Sequence, residues 1–212
     1  MFLPRLHQIR ITLSKDGVIH ATATPTPPRP YDHLALSLYD PVALTAAANV
    51  HDSTTLPPLR HTPLRVLLDT QSTPTSTPNP HLAPHKTTAR EVYDAARTRA
   101  GIPPLTSTAP APARPTEVLL HTPGNPALII DASIRTPFFY RAGRWVTPML
   151  QPSANHDADA DVLVPLAGTV RRFLLEHGHA VEGDVPLSEV QVGEWVLLCN
   201  AVEGCVVGIV EG

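Results

Sequence analysis

Alternating apolar and polar positions near the start of the chain predict a β-hairpin over residues 7–25. Ile9, Ile11 and Leu13 alternate with polar residues, and Asp16-Gly17 turns the chain into a second run. An Asp-Gly pair between two alternating runs is a strong hairpin signal. Because an isolated two-stranded hairpin is at best marginally stable, we expect it to join a larger sheet.

Proline interrupts the pattern after the hairpin. The chain has 25 prolines among 212 residues, most of them between Pro25 and Pro115. Regular structure cannot continue through such a stretch, because proline lacks the backbone N–H. Short apolar runs predict one or two helical turns at 43–48 and a strand at 65–69. The polar stretches 70–80 and 103–115 are predicted to be loops.

A helix is predicted over residues 87–99. Thr87 or Thr88 is the expected N-cap, and Gly101 is the expected stop signal. Helical i, i+3, i+4 spacing puts three apolar residues on one face: Val92, Ala95 and Ala96.

Strands and turns dominate from residue 117 onwards. The strands are predicted at 117–121, 127–131, 138–141, 144–147, 194–199 and 205–210. A second helix is predicted over 168–177, with Gly178 ending it. Strands mixed with two helices indicate an α+β fold with a highly twisted or barrel-like sheet.

Composition and charge exclude several functional classes. The net charge is −3 and the basic residues form no cluster, which disfavours nucleic-acid binding. No run approaches the ~20 apolar residues that span a bilayer, and no signal-peptide pattern is present, so we expect a cytoplasmic protein. The histidines show no metal-binding spacing. Cys199 and Cys205 are predicted to be buried, small apolar residues.

Lysine is rare in this chain, which holds only Lys15 and Lys86. Lys15 lies in the hairpin turn, where a solvated lysine is ordinary. Lys86 lies between the Pro-rich region and the predicted helix, and by itself it too is most simply a solvated side chain.

The chain from Lys86 onwards resembles the fold-type IV pyridoxal-phosphate enzymes, specifically the fungal type of aminodeoxychorismate-lyase-like proteins. The family run Lys-Thr-Thr-x-Arg-x-x-Tyr has its counterpart in HKTTAREVY at 85–93. Further segments follow in the family's order: EVLL at 117–120, DASIRTPFF at 131–139, RAGRWVTP at 141–148, AGTVRR at 167–172 and NAVEG at 200–204.

This resemblance implies a fold, a cofactor and a reaction. The implied fold is the D-amino-acid-aminotransferase-like α+β fold, and the implied cofactor is pyridoxal 5'-phosphate, carried by Lys86. The implied reaction converts 4-amino-4-deoxychorismate to 4-aminobenzoate, a folate precursor, and pyruvate. A branched-chain or D-amino-acid transaminase is the alternative reaction. The implied partners are a small-molecule amino substrate and, for the complete protein, a second copy in a homodimer.

The resemblance also assigns roles to individual residues. Lys86 is the catalytic residue. Asp131 is the acid for the pyridine nitrogen, which needs a carboxylate so that the ring can act as an electron sink. The expected phosphate site is the start of the second helix, whose backbone N–H groups suit an anion. Its residues are Gly168, Thr169 and Val170. Asn200 and Ala201 are expected beside the phosphate or a substrate carboxylate. The structural alternatives are a strand-end aspartate at 131, a glycine turn at 168 and a turn asparagine at 200.

Several departures from the family pattern predict weak cofactor binding. Asp131 lies where the family has the longer Glu, Ala132 where it has Gly, Val170 where it has Thr and Glu203 where it has Arg. The change at position 203 brings a negative charge toward an anion site. The resemblance divides the chain into a remnant hairpin of the N-terminal domain (1–30), a Pro-rich connecting region (31–85) and a cofactor-binding C-terminal domain (86–212). The family's N-terminal domain supplies a phosphate-binding arginine, so a truncated, inactive relative is a third expectation.

Overall fold

The computed structural model describes residues 7–25, 63–73, 90–104, 112, 114–150 and 165–212. The chain divides into two compact units, Met1–Leu34 and Ala35–Gly212. Within the described ranges, no helix is long and apolar enough to cross a membrane.

The predicted hairpin is confirmed in the first unit. Strand β1 (His7–Leu13) pairs antiparallel with β2 (Ile19–Pro25). Gly17 takes a φ of +83° in the turn, a conformation that glycine adopts without strain. Within the described residues the hairpin is a two-stranded sheet with its isoleucines exposed, and its membership of a larger sheet stays a prediction.

The described part of the second unit is built on one mixed sheet of eight strands. Along the sheet the order is β5-β4-β3-β10-β9-β6-β7-β8, with parallel pairing at β4–β3, β3–β10 and β7–β8. The strands are β3 (Leu64–Leu68), β4 (Thr116–His121), β5 (Ile129–Ala132), β6 (Thr136–Arg141), β7 (Arg144–Thr147), β8 (Ala180–Glu182), β9 (Trp195–Asn200) and β10 (Gly204–Val210). This α+β arrangement agrees with the predicted fold class.

Strand β3 holds the sheet together although it comes from the Pro-rich region. It lies between β4 and β10, both of which it pairs with in parallel. The prediction of a strand at 65–69 is therefore confirmed, and the region 31–85 supplies a strand to the sheet. Strand β8 and a short 3₁₀ turn at Leu187–Glu189 were not predicted.

Both faces of strand β4 are buried, because each face packs against a separate cluster of apolar residues. Leu119 packs into a core with Phe139, Leu198 and other residues of the central strands. Its neighbours Val118 and Leu120 point the other way, since alternate strand residues face opposite sides, and they pack against helix α1 (Glu91–Arg99).

The first predicted helix begins later than expected. Arg90 is its N-cap residue, so a cap at Thr87 or Thr88 is wrong, and those threonines lie outside the described residues. The predicted stop at Gly101 is confirmed, with a φ of +70°. Ala96 is buried as predicted, but Ala95 is exposed. The buried position beside Ala96 belongs to Arg97, whose guanidinium finds partners at Pro103 and Ser133.

The second predicted helix is confirmed as α2 (Thr169–Glu176), with Gly168 as its N-cap and Gly178 in the left-handed conformation after it. Cys199 and Cys205 are buried opposite each other on β9 and β10, as predicted. The predicted helical turns at 43–48 lie outside the described residues, as do most of the predicted loops at 70–80 and 103–115.

Candidate active site

Lys86 lies outside the described residues. The described chain resumes at Arg90, and helix α1 begins at the next residue, Glu91. This helix carries Tyr93, which reaches the residue predicted to hold the pyridine nitrogen.

Asp131 is a buried carboxylate on β5, only 4% exposed. Its Oδ1 accepts a hydrogen bond of 2.9 Å from the backbone N–H of Ala132, and its Oδ2 accepts one of 3.0 Å from the Tyr93 hydroxyl. The backbone of Leu166 donates a further hydrogen bond. Burial raises the pKa of Asp131 to about 7, the hydrogen bonds oppose that rise, and the nearby Glu117 adds to it.

Tyr93 remains protonated beside this carboxylate. Burial raises the pKa of the Tyr93 hydroxyl above its ordinary value of 10, and the charge of Asp131 raises it further. The Arg90 guanidinium, 5.1 Å from the centre of the Tyr93 ring, acts in the opposite direction. The protonated Tyr93 hydroxyl is thus the donor in its hydrogen bond to Asp131.

The predicted phosphate loop connects to Asp131 through one residue. Leu166 donates to the Asp131 carboxylate, and its carbonyl accepts a 2.7 Å hydrogen bond from the Gly168 N–H. Gly168 then begins α2, followed by Thr169 and Val170 in its first turn. A methyl group at position 168 would lie 3.8 Å from the Leu166 carbonyl oxygen and 4.0 Å from Thr136 Oγ1. A methyl group at position 168 would therefore make ordinary van der Waals contacts.

Asn200 closes the turn between β9 and β10. Its Oδ1 accepts hydrogen bonds from the backbone N–H groups of Val202 (2.9 Å) and Glu203 (2.7 Å), and its Nδ2 donates to Glu203 Oε2 at 2.8 Å. Ala201 is exposed in this turn. The side-chain amide of Asn200 is therefore engaged within the turn, as the structural alternative expects. Contact of Asn200 or Ala201 with a ligand stays a prediction.

A buried ion-pair network that the sequence did not reveal lies next to these residues. Glu117 is completely buried and accepts hydrogen bonds from Ser133 Oγ (2.5 Å), the Ile134 N–H (2.7 Å) and Arg135 Nη1 (3.0 Å). Burial raises the pKa of Glu117, and the charge of Arg135 lowers it. The other terminal nitrogen of Arg135 pairs with Glu203 at 2.5 Å.

This network includes a partner for the negative charge of Glu203. Its carboxylate faces Arg135 and the Asn200 amide, so its charge is balanced inside the protein. The expectation that Glu203 brings a negative charge toward the anion site stays a prediction. Glu203 is one of the departures from the family pattern, and the sequence alone did not identify Arg135 as its partner.

Comparison with known proteins supports the fold. No family model matches the sequence. The structure is similar to a protein of Mesorhizobium loti assigned as an amino-acid aminotransferase, with a TM-score of 0.57 and 19% identity over 96% of this chain and 72% of that chain. It is also similar to the 4-amino-4-deoxychorismate lyase of Pseudomonas aeruginosa, with a TM-score of 0.50 and 16% identity over 93% of this chain and 57% of that one. The chain has the fold-type IV architecture.

A curated relative adds a match in sequence. A stretch of 46 residues is 46% identical to the aminodeoxychorismate lyase of Saccharomyces cerevisiae, covering 22% of this chain and 12% of the yeast protein. The fold-type IV chain described here thus spans about 57% of the length of the Pseudomonas lyase and matches a short part of the yeast lyase.

Proposed function

We propose that this chain is a pyridoxal-phosphate-dependent lyase that acts on 4-amino-4-deoxychorismate. The observation that carries the proposal is the surroundings of Asp131. A buried carboxylate, hydrogen-bonded at both oxygens, stands at the position of the family's ring-nitrogen acid. Perturbed buried acids of this kind occur preferentially at functional sites.

The Asp131 carboxylate can accept one further hydrogen bond, which the ring nitrogen could donate. An ionised carboxylate offers about four acceptor positions. Tyr93, Ala132 and Leu166 provide three donors. The count leaves about one acceptor position, which suits the single N–H of a protonated pyridine.

The start of α2 offers backbone donors for a phosphate group. The first N–H groups of a helix lack partners within the helix and favour anions. No Cβ fills the space at Gly168 between the Leu166 carbonyl and the Thr136 hydroxyl. Leu166 links this space to Asp131, so one short segment supports both ends of the proposed cofactor site.

The chemistry is divided between the cofactor and the chain. When bound, pyridoxal phosphate supplies an electron sink for the bonds at the substrate carbon next to the amine. The ionised Asp131 would accept a hydrogen bond from the protonated ring nitrogen, and the backbone N–H groups at the α2 N-terminus would orient the phosphate. Lys86 would hold the cofactor through its Nζ and would carry protons as a general base and acid.

The choice of a lyase over a transaminase comes from the yeast relative, whose 46% identity is in sequence rather than in fold alone. The similarity to the Mesorhizobium protein keeps a branched-chain or D-amino-acid transaminase as the second candidate. Both reactions would use the same lysine, so one set of variants serves both tests.

The experiment supplies the purified chain with pyridoxal phosphate and 4-amino-4-deoxychorismate, and follows 4-aminobenzoate and pyruvate together. Lys86→Ala is the test variant and Lys15→Ala the matched control. We expect both products in equal amounts from the wild type and from Lys15→Ala, and neither from Lys86→Ala. A parallel assay offers branched-chain and D-amino acids with a 2-oxo acid acceptor. Activity there alone would establish the transaminase, and inactivity in both assays would establish an inactive relative.

A further inference from the structure

We propose that Tyr93 is the positioning residue for Asp131, holding its carboxylate ionised and oriented for the ring nitrogen of the cofactor. The part of this inference that concerns the cofactor rests on the proposed function. The contact between the two side chains does not depend on it, and the two can be tested separately.

The hydrogen-bond geometry fixes the carboxylate at both of its oxygens. Ala132 holds Oδ1 at 2.9 Å through the backbone, and Tyr93 holds Oδ2 at 3.0 Å through its hydroxyl. The backbone donors are Ala132, the last residue of β5, and Leu166, which lies just before the N-cap of α2. Tyr93 is the side-chain donor among the hydrogen bonds described for this carboxylate, and it comes from a different element, helix α1.

Helix α1 is a firm support for the Tyr93 hydroxyl. The Tyr93 ring packs against a buried cluster that includes Ala96, Val118 and Leu120. The Arg90 guanidinium lies 5.1 Å from its ring centre, within the range of a cation–π contact. A ring held in this way loses little freedom when its hydroxyl binds Asp131, so the hydrogen bond is pre-formed.

The hydrogen bond from Tyr93 affects whether Asp131 is neutral or ionised. A protonated ring nitrogen requires an ionised carboxylate as its acceptor. Burial of Asp131 favours the neutral acid, and so does the Glu117 carboxylate on β4. The ionised form is favoured by the backbone N–H groups of Ala132 and Leu166 and by the Tyr93 hydroxyl on α1. Arg90 acts on Tyr93 from the same helix. Removal of the Tyr93 hydroxyl would shift this balance toward a neutral Asp131.

The test variant is Tyr93→Phe, which keeps the ring and its packing and removes only the hydroxyl. Tyr140→Phe is the matched control, because Tyr140 packs edge-on against Trp145 on the β6–β7 hairpin. The first measurement uses cofactor-free protein labelled with ¹³C at the aspartate carboxyls, with Asp131 assigned through Asp131→Asn. We expect Tyr93→Phe to raise the pKa of Asp131 by about one unit, the size of one hydrogen bond to a charged group. The control should leave it unchanged.

The second measurement is the pyridoxal phosphate dissociation constant between pH 6 and pH 9. We expect Tyr93→Phe to weaken binding about tenfold near pH 6.5 and much less at pH 9, where Asp131 is ionised in both proteins. A purely structural role would weaken binding equally at all pH values. An unmoved pKa of Asp131, or a uniform loss of affinity, would overturn the role of Tyr93. If Tyr93→Phe shows the pKa shift but the wild-type chain binds no pyridoxal phosphate, the proposed function and the cofactor part of this inference would instead be overturned.

Discussion

Arg135 and Glu203 form an ion pair at 2.5 Å that joins the loop before β6 to the turn between β9 and β10. Arg135 also pairs with the buried Glu117, so a single guanidinium serves two carboxylates. The β9–β10 turn, which includes the predicted site residues Asn200 and Ala201, is thereby tied to the strand that carries Glu117.

The two partners of Arg135 differ in burial, which predicts unequal effects of mutation. Arg135→Met leaves the fully buried Glu117 without its cation, and we expect a loss of about 3–5 kcal/mol in the free energy of unfolding. Glu203→Gln removes the partner whose side chain is 31% exposed, and we expect a loss below about 1 kcal/mol. Urea unfolding of both variants measures the difference. Equal losses would show that Glu203 is as important to the network as Glu117.

The raised pKa of Asp131 predicts a pH dependence of stability. Its pKa is about 7 in the folded chain and ordinarily 3.8. Between these values the folded chain binds a proton that the unfolded chain has released, so the free energy of unfolding falls as the pH rises through this window. The full effect is on the order of 4 kcal/mol.

Asp131→Asn isolates this contribution, since the amide has the same shape and does not titrate. We expect the free energy of unfolding of the variant to rise relative to that of the wild type as the pH increases from 4 to 7. Glu117, whose pKa is also raised, is present in both proteins and cancels in the comparison. Parallel pH profiles for the two proteins would contradict the assignment.

Two glycines are predicted to respond differently to alanine. At Gly208 a Cβ would lie 2.5 Å from Val66 Cγ2 and 3.0 Å from Leu198 Cδ1, inside the core. We expect Gly208→Ala to destabilise the chain by about 1–3 kcal/mol through overpacking. Gly168→Ala meets only ordinary contacts at 3.8 Å or more, so we expect stability within about 0.5 kcal/mol of the wild type.

Gly168→Ala should instead affect cofactor binding, because its methyl group enters the space proposed for the phosphate. Thermal unfolding and a pyridoxal phosphate titration of both variants separate the two effects. A Gly168→Ala chain that binds the cofactor as tightly as the wild type would place the phosphate elsewhere.

Local signals in the sequence predicted the elements that local chemistry determines. The Asp16-Gly17 turn, the stop at Gly101 and the Gly168 start of α2 all depend on backbone conformations that the nearby residues prefer. The start of α1 was missed because Arg90 caps it without a side-chain hydrogen bond. No signature of the kind that identifies Thr or Ser caps was present there.

Contacts between distant residues could not be predicted. Tyr93 and Asp131 are 38 residues apart, and Glu117 and Arg135 are 18 apart. Each pair meets only because α1 packs on β4 and because β4 pairs with β5. The resemblance did identify Asp131 as a candidate, but the partners that set its charge depend on the folded arrangement.

The most direct test of the proposed site is to locate the cofactor on the chain. Pyridoxal phosphate is added to the purified protein, its bond to lysine is fixed with borohydride, and the peptides are mapped by mass spectrometry. Because Lys15 and Lys86 are the only lysines in the sequence, the result is unambiguous. The account predicts a label on Lys86 at a stoichiometry near one, with Lys15 essentially unlabelled. Equal labelling of the two lysines, or no label on Lys86, would contradict it.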